Sequence, residues 1–347
     1  MDKRNIIVIG ASAGGFDAIK RIVADLPADL AASIFVVWHM SANTTGILPH
    51  VLNMLGTLPA TQALDGELIS ENHIYVAPPD RHLLLENGYI RVTRGPKENR
   101  FRPAIDPLFR SAALAYGPRV IGIELSGALD DGAAGMWAIK QQGGLAIVQD
   151  PSDAEVPSMP KTTMDAVDVD YVLPVHEIGL LLTRLVKDDV AIEEQLPANH
   201  KKMLQKEVAI AMEDSVVSRS VFNAGELTTY TCPECHGVLS ALREGGRIRF
   251  RCHTGHAFTA ESLLAGITEN IEESLWNAIR NVQESALLLN HMGDHFAEAN
   301  QAKLAAMYFR KGREAMERSV LIRKAVFSHD QPTAEEIKEQ ARDEHLS

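Results

Sequence analysis

The sequence predicts an α/β protein: a doubly wound, mostly parallel sheet of Rossmann-like type, followed by a small ribbon and a helical hairpin. Three observations predict it. Short, wholly apolar runs alternate with amphipathic stretches through the first half, a compact cysteine and histidine segment follows, and an apolar stripe of helical period lies behind that. A strand that is apolar on both faces has to be covered on both, which is the condition of a parallel sheet flanked by helices.

Residues 6–9 are branched and apolar and end at Gly10, and residues 16–26 then repeat apolar side chains at helical spacing, so the chain opens as strand, turn, helix. Residues 34–38 repeat the buried-strand pattern. Residues 120–125 do so after a helical stretch at 108–115, and residues 145–148 after another at 133–140. Between them, residues 73–76 and 89–92 read as shorter strands forming a hairpin around the turn Pro78-Pro79-Asp80. Together these elements give a domain over residues 1–187.

From 187 to 220 the chain is charged and loses the alternation, so residues 188–226 are expected to be a linker with helical pieces, ahead of a cysteine and histidine module over 227–258. Leu264, Ile267, Ile271, Leu275, Ala278, Val282, Ala286 and Leu289 then step by three or four, which buries one face of a helix. Gly293 and Asp294 are expected to break it before a second helix at 304–326, giving a helical hairpin over 259–329 whose plainest role is packing, or holding a homodimer through these C-terminal helices. The charged tail 330–347 is expected to fray.

A chain of 347 residues has room for two domains, and 46% hydrophobic with 23% charged residues is the composition of a folded globular protein. The net charge of -12 argues against a nucleic-acid partner, since that affinity comes from clustered Lys and Arg. Lys3 and Arg4 precede an apolar run that stops at Ile9, too short for a secretory leader, and no run approaches a bilayer span. With only three cysteines, the expectation is a cytoplasmic protein with no disulfide framework and no membrane insertion.

Gly10-Ala11-Ser12-Ala13-Gly14 is a G-x-S-x-G between a strand and a helix. Small flanking residues let the chain turn sharply and expose the Ser12 hydroxyl, and the helix behind it aims unpaired NH groups at the same spot. The competing reading is a phosphate-binding turn of a nucleotide-binding protein, against which Ser12 puts a side chain where a glycine lets backbone approach pyrophosphate. His39 follows the strand at 34–38 and so lies at the same sheet edge, where a base for Ser12 is needed. Asp130 and Asp131 follow the strand at 120–125 and the turn Ser126-Gly127-Ala128; either could orient the imidazole, the other capping a helix. The backbone NH groups of Ala13 and Ala128 are the natural oxyanion donors.

Residues 9–15 (IGASAGG), 38–40 (WHM), 75–82 (YVAPPDRH), 102–109 (RPAIDPLF) and 131–136 (DGAAGM) resemble, in order, the catalytic domain of the chemotaxis methylesterase (CheB-type) family over about half the chain. The resemblance implies a triad of Ser12, His39 and Asp131, hydrolysis of glutamate γ-methyl esters with release of methanol, and glutamine deamidation as a related activity. It also implies methylated chemoreceptor helices, or another methylated protein, as the partner, and no cofactor in catalysis. The turn at 125–132 departs from the family text, with Ala128 where methionine stands and Leu129 where glycine stands. The chain opens directly on the first catalytic strand, so control by a receiver domain in cis is not expected. A non-catalytic sensor or adaptor signalling through the C-terminal part is the alternative.

Cys232-Pro233-Glu234-Cys235 and Cys252-His253-Thr254-Gly255-His256 give C-x2-C and C-x3-H separated by two strand-like stretches, 238–242 and 247–250, with a turn at 244–246. That is the ligand set of a structural zinc site in a zinc ribbon, with Cys232, Cys235, Cys252 and His256 as ligands and His253 and His236 as alternates for the fourth. This part resembles extensions on stand-alone members of the same family.

Overall fold

The structure, a computed structural model, describes residues 2–41, 46–190, 198–213, 215–244 and 247–327. Asp2–Lys3 (β1) pairs antiparallel with Asp189–Val190 (β11) beside the main sheet. That sheet contains Ile6–Ala11 (β2), Ser33–Trp38 (β3), Ala60–Gln62 (β4), His73–Val76 (β5), Val120–Glu124 (β8), Leu145–Gln149 (β9) and Tyr171–Leu173 (β10), in the order β10-β9-β8-β2-β3-β5-β4. Every neighbouring pair in it is parallel.

The wholly apolar strands divide their residues by parity, because successive side chains point to opposite faces. Ile7, Ile9, Ile34, Val36, Ile121 and Ile123 pack under Gly15–Ala24 (α1), Leu48–Leu55 (α2) and Val175–Leu185 (α6). Ile6, Val8, Phe35 and Val37 pack under Ile105–Tyr116 (α3) and Ala133–Gln141 (α4). Ser158–Ala166 (α5) sends Met159 to this second face.

The expected hairpin is corrected. β5 is a strand of the parallel sheet, and the hairpin is instead His82–Glu86 (β6) with Tyr89–Thr93 (β7), turning at Asn87-Gly88 with Gly88 at φ 81°. Three consecutive leucines in β6 carry little period, while the Asn-Gly pair was the better turn signal.

The segment read as a linker holds two helices, Ala198–Ala211 (α7) and Ser215–Ala224 (α8); residues 191–197 lie outside the described residues. Leu204 joins the core beneath α3, Val208 and Ala211 pack on Leu84, and Ile210 meets Val221 and Leu242. Four antiparallel strands follow: Glu226–Thr231 (β12), Val238–Glu244 (β13), Arg247–Cys252 (β14) and Ala257–Thr259 (β15). Gly245 and Gly246 of the expected turn lie outside the described residues, as does the tail from 330. The first 263 residues form one compact unit, in which this small sheet is included.

A second unit begins at Leu264. Ala260–Glu298 (α9) runs through Gly293 and Asp294, where a break was expected, and stops just before Asn300, whose φ of 57° is the left-handed conformation that asparagine tolerates. Gly293 is needed for proximity: a Cβ there would lie 2.7 Å from the ring of Phe309 on Ala302–Phe327 (α10). No helix among the described residues is long and apolar enough to cross a membrane.

Candidate active site

Adjacent strands β8, β2 and β3 end at one edge and are laced together beyond their last ladder bonds. Leu125 N donates to Gly10 O, Ser12 N to Ser126 O and His39 N to Ala11 O, each at 2.9 Å. Between β2 and α1 the chain turns at Gly14, φ 73°, where a Cβ would meet Glu155 Cβ at 2.6 Å. The sharp turn leaves the Ser12 hydroxyl over the sheet edge. Trp38 Nε1 donates to the Ser12 carbonyl at 3.0 Å, and its ring lies against Phe16.

Ser12 Oγ lies 3.2 Å from His39 Nδ1, and His39 Nε2 lies 2.8 Å from Asp131 Oδ2. Asp131 is only 1% exposed, which by itself raises a carboxyl pKa; the hydrogen bond and charge of His39, the Ile105 NH at 2.6 Å and the Asn99 amide at 2.9 Å outweigh burial and hold it below the usual carboxylate range. An ionised Asp131 only accepts, so the Nε2 of a neutral His39 carries the proton and Nδ1 is left to accept from Ser12. The imidazole is stacked on Phe101, ring centroids 3.7 Å apart, which fixes its plane.

Asp130 does not face His39. It is buried, and that burial lifts its carboxyl to about 7 against an opposing hydrogen bond with Thr259. Glu124, at the end of β8, is fully buried beside Asp131 and Asp106 and is pushed well above the ordinary range; a Cβ on Gly132 would lie 2.2 Å from its Oε2. Asp106 is likewise raised by burial and then by Asp131, and it accepts from Gly135 N at 2.6 Å and Asn99 Nδ2 at 3.1 Å. Ser12 and His39 therefore stand beside three buried carboxyls, of which Asp131 is held low while Asp106 and Glu124 are raised.

Ala13 lines a cleft of ≈ 550 Å³ together with Ser12, Trp38, His39, Arg100 and Phe101. The backbone NH groups of Ala13 and Ala128 donate no hydrogen bond among the described residues, whereas Gly127 N is engaged by Val156 O at 2.9 Å. Leu129 adopts φ 65°, the conformation that a glycine would take without strain.

In the small sheet, Cys232, Cys235, Cys252 and His256 bring their donor atoms within 4.8 Å of one another. Cys235 Sγ to Cys252 Sγ is 3.7 Å, and His256 Nδ1 lies 3.7 Å from Cys232 Sγ and 3.6 Å from Cys252 Sγ. A tetrahedron with zinc–sulfur bonds of about 2.3 Å and a zinc–nitrogen bond of about 2.0 Å has edges of roughly 3.8 Å between sulfurs and roughly 3.5 Å from sulfur to nitrogen. The donor set fits that ion. His253 lies against Gly237 and Phe222, and neither it nor His236 belongs to the group.

Sequence reasoning missed Asn99, Phe101, Asp106 and Glu124. Asp106 lies inside one of the family-like blocks, which was a usable signal. Asn99 carried none, since apart from Asp106 its partners lie far away in the chain.

The family model described as CheB methylesterase matches residues 7–182. A Leptospira interrogans protein is 40% identical over 185 residues, 53% of this chain and 96% of its own length. The Rhizobium johnstonii protein-glutamate methylesterase/protein-glutamine glutaminase 2 is 37% identical over 178 residues, 50% of this chain and 48% of its own. This chain thus spans about half of that relative. The crystal structure of the Thermotoga maritima CheB methylesterase catalytic domain superposes with a TM-score of 0.51 at 35% identity, covering 52% of this chain and 98% of that one.

Proposed function

This chain belongs to the CheB methylesterase family, and from that premise we propose that it hydrolyses glutamate γ-methyl esters on methylated chemoreceptor helices or another methylated protein, with glutamine deamidation as a companion reaction. One observation carries the reading: the hydrogen-bond chain from Ser12 to His39 to Asp131, 3.2 Å and then 2.8 Å, across the ends of three adjacent strands.

In that reading His39 Nδ1 takes the Ser12 proton as Oγ attacks the ester carbonyl. Asp131, already ionised and bonded to Nε2, stabilises the imidazolium that results. The tetrahedral oxyanion needs donors, and the NH groups of Ala13 and Ala128, which donate to no other group among the described residues, are the candidates; losing one such donor typically costs about 2.7 to 4 kcal/mol of transition-state stabilisation. The imidazolium returns its proton to the departing methoxide, which leaves as methanol. Water, deprotonated by His39, then attacks the acyl-serine and frees glutamate and Ser12. An amide nitrogen leaving as ammonia follows the same course, which is the glutaminase reaction.

Structural zinc on Cys232, Cys235, Cys252 and His256 belongs to the same proposal, as do a catalytic domain over 1–187, a ribbon over 227–258 and a helical hairpin over 259–329. Zinc there would hold the two knuckles of the ribbon together and would not touch the ester.

The test is methanol release from methylated chemoreceptor fragments by the full chain beside Ser12→Ala. Release that falls at least a thousandfold in the variant supports the esterase and its substrate class together. No release by the wild type removes the chemoreceptor substrate and shifts weight to another ester or to a sensor without turnover.

A further inference from the structure

Asn99 stands between the triad and the metal-ligating ribbon, and it is only 1% exposed. Its Nδ2 donates to Asp131 Oδ1 at 2.9 Å and Asp106 Oδ2 at 3.1 Å, while its Oδ1 accepts from Thr259 N and Ser262 Oγ, both at 3.3 Å. Donor end and acceptor end are both committed. The amide therefore faces the acids because the end of β15 and the start of α9 hold its oxygen.

The backbone around Asn99 is held by the same strand. Asn99 N donates to Ala257 O at 2.8 Å and Ala257 N to Lys97 O at 3.3 Å, so the loop at 97–99 lies along β15 as an extra edge. Asn99 and Arg100 both have positive φ, 49° and 76°, which packing has to maintain. Glu98, fully buried, is paired with Arg110 of α3 and with Arg249 and Arg251 of β14.

The metal ligands bracket the turn that feeds this strand. Cys252 ends β14, His256 directly precedes Ala257, and the turn is closed by Cys252 N to His256 O and Gly255 N to Cys252 O, both 3.0 Å. Arg251 Nη1 donates to the carbonyl of Gly255 within the turn. From the other knuckle, Glu234 pairs with Lys97 at 2.8 Å.

We propose that a zinc ion on Cys232, Cys235, Cys252 and His256 pins β15, and through it Asn99, so that the esterase depends on a metal that never meets its substrate. The proposal rests on the esterase reading above, with Asn99 as a positioning residue acting on Asp131. Removing the metal slackens the turn at 252–256, frees the Ala257 strand from the loop and lets the Asn99 amide leave the carboxylate.

The experiment uses the full chain as wild type, Cys235→Ser, Asn99→Ala and the double variant. Three quantities are read: zinc per chain by mass spectrometry, the downfield proton resonance of the His39 Nε2–H that is bonded to Asp131, and kcat and KM on a methylated chemoreceptor fragment. The expected result is one zinc per wild-type chain, lost in Cys235→Ser and kept in Asn99→Ala. Both single variants shift or lose the downfield resonance and lower kcat at least tenfold with KM changed less than twofold, and the double variant is no worse than either. Should Cys235→Ser fail to fold, stripping zinc from the wild type with a chelator and restoring it gives the same readout, reversibly. A wild type that binds no zinc, a zinc-free chain with unaltered resonance and kcat, an unaltered resonance in Asn99→Ala, or additive losses in the double variant would each overturn the proposal. A resonance that follows zinc without Ser12-dependent turnover defeats the esterase reading and leaves the coupling standing.

Discussion

The sheet beneath the candidate triad and the junction between the loop at 97–99 and the small antiparallel sheet are both fully buried, yet they are held by opposite means. Under the sheet, Ile7, Ile9, Ile34, Val36, Ile121 and Ile123 meet helices through dispersion and the removal of apolar surface from water, forces that ask little of direction. At the junction two carboxylates, Glu98 and Glu207, meet three guanidiniums, Arg110, Arg249 and Arg251, with side-chain exposure of 6% or less throughout. Burial pushes Glu98 up, but Arg110, Arg251 and Arg249 hold it well below its ordinary range. Several polar atoms of this cluster have no hydrogen-bond partner among the described residues. Such a cluster stabilises little relative to an apolar one of equal volume, while each member becomes costly to lose alone. The sheet supplies the strand ends; the junction fixes the register of the loop that carries Asn99.

The largest effect that this contrast predicts is Glu98→Ala, which leaves three buried arginines with Glu207 as their one shared carboxylate. Denaturant unfolding should show a loss of about 3 to 5 kcal/mol. A loss below 1 kcal/mol would mean that the junction is as tolerant as the sheet.

Asp130 gives the next effect and sharpens the contrast by sign. Its folded carboxyl titrates near 7 against 3.8, so the folded state holds a proton that the unfolded chain has released between those values, and stability falls as pH rises across that window. The penalty is complete above pH 7. Asp130→Asn should therefore stabilise the protein at pH 8 by about 2 to 4 kcal/mol and by almost nothing near pH 4, measured as thermal midpoints at both values. Equal shifts at both would exclude the carboxyl as the cause.

Smaller still is Ile34→Val, which removes one methyl group from the sheet core and should cost about 0.5 to 1.5 kcal/mol without changing kcat. Leu129→Gly should be the mildest, within about 1 kcal/mol of wild type, because relief of the positive φ is offset by the backbone freedom that glycine adds to the unfolded chain. A large loss there would assign the Leu129 side chain a contact that its half-exposed position does not suggest.

The same contrast explains what could be read in advance. β2, β3, β8 and β9 announced themselves as apolar runs, and Ser12 and His39 followed from their places at the strand ends, while the choice of Asp131 over Asp130 came from the family resemblance. The pattern was local, and local patterns survive in a sequence. β4 and β10 are three residues each and carry little signal, and α7 read as one helical piece of a linker because its charged face hides how Leu204, Val208 and Ala211 are buried. Glu98 and Arg249 are 151 positions apart, and Asn99 and Ser262 are 163 apart. No periodicity links residues at such separations, so charged side chains that are exposed by default could not be matched as buried partners. The C-x2-C and C-x3-H spacing was legible as a ligand set with His256 as its fourth member, and the turn at 252–256 brings the donor atoms of Cys232, Cys235, Cys252 and His256 within 4.8 Å of one another.

The five charged residues at the junction also constrain inheritance. Exchanging one arginine of β14 for an uncharged residue strands a carboxylate that water cannot reach, so the neutral path between ancestors and descendants has to change several of these positions nearly together. Across related genomes, positions 98, 110, 207, 249 and 251 should then vary as a block, present or absent in company. The small antiparallel sheet, if gained or discarded by recombination, would have to bring or remove its answering charges from the catalytic half as well.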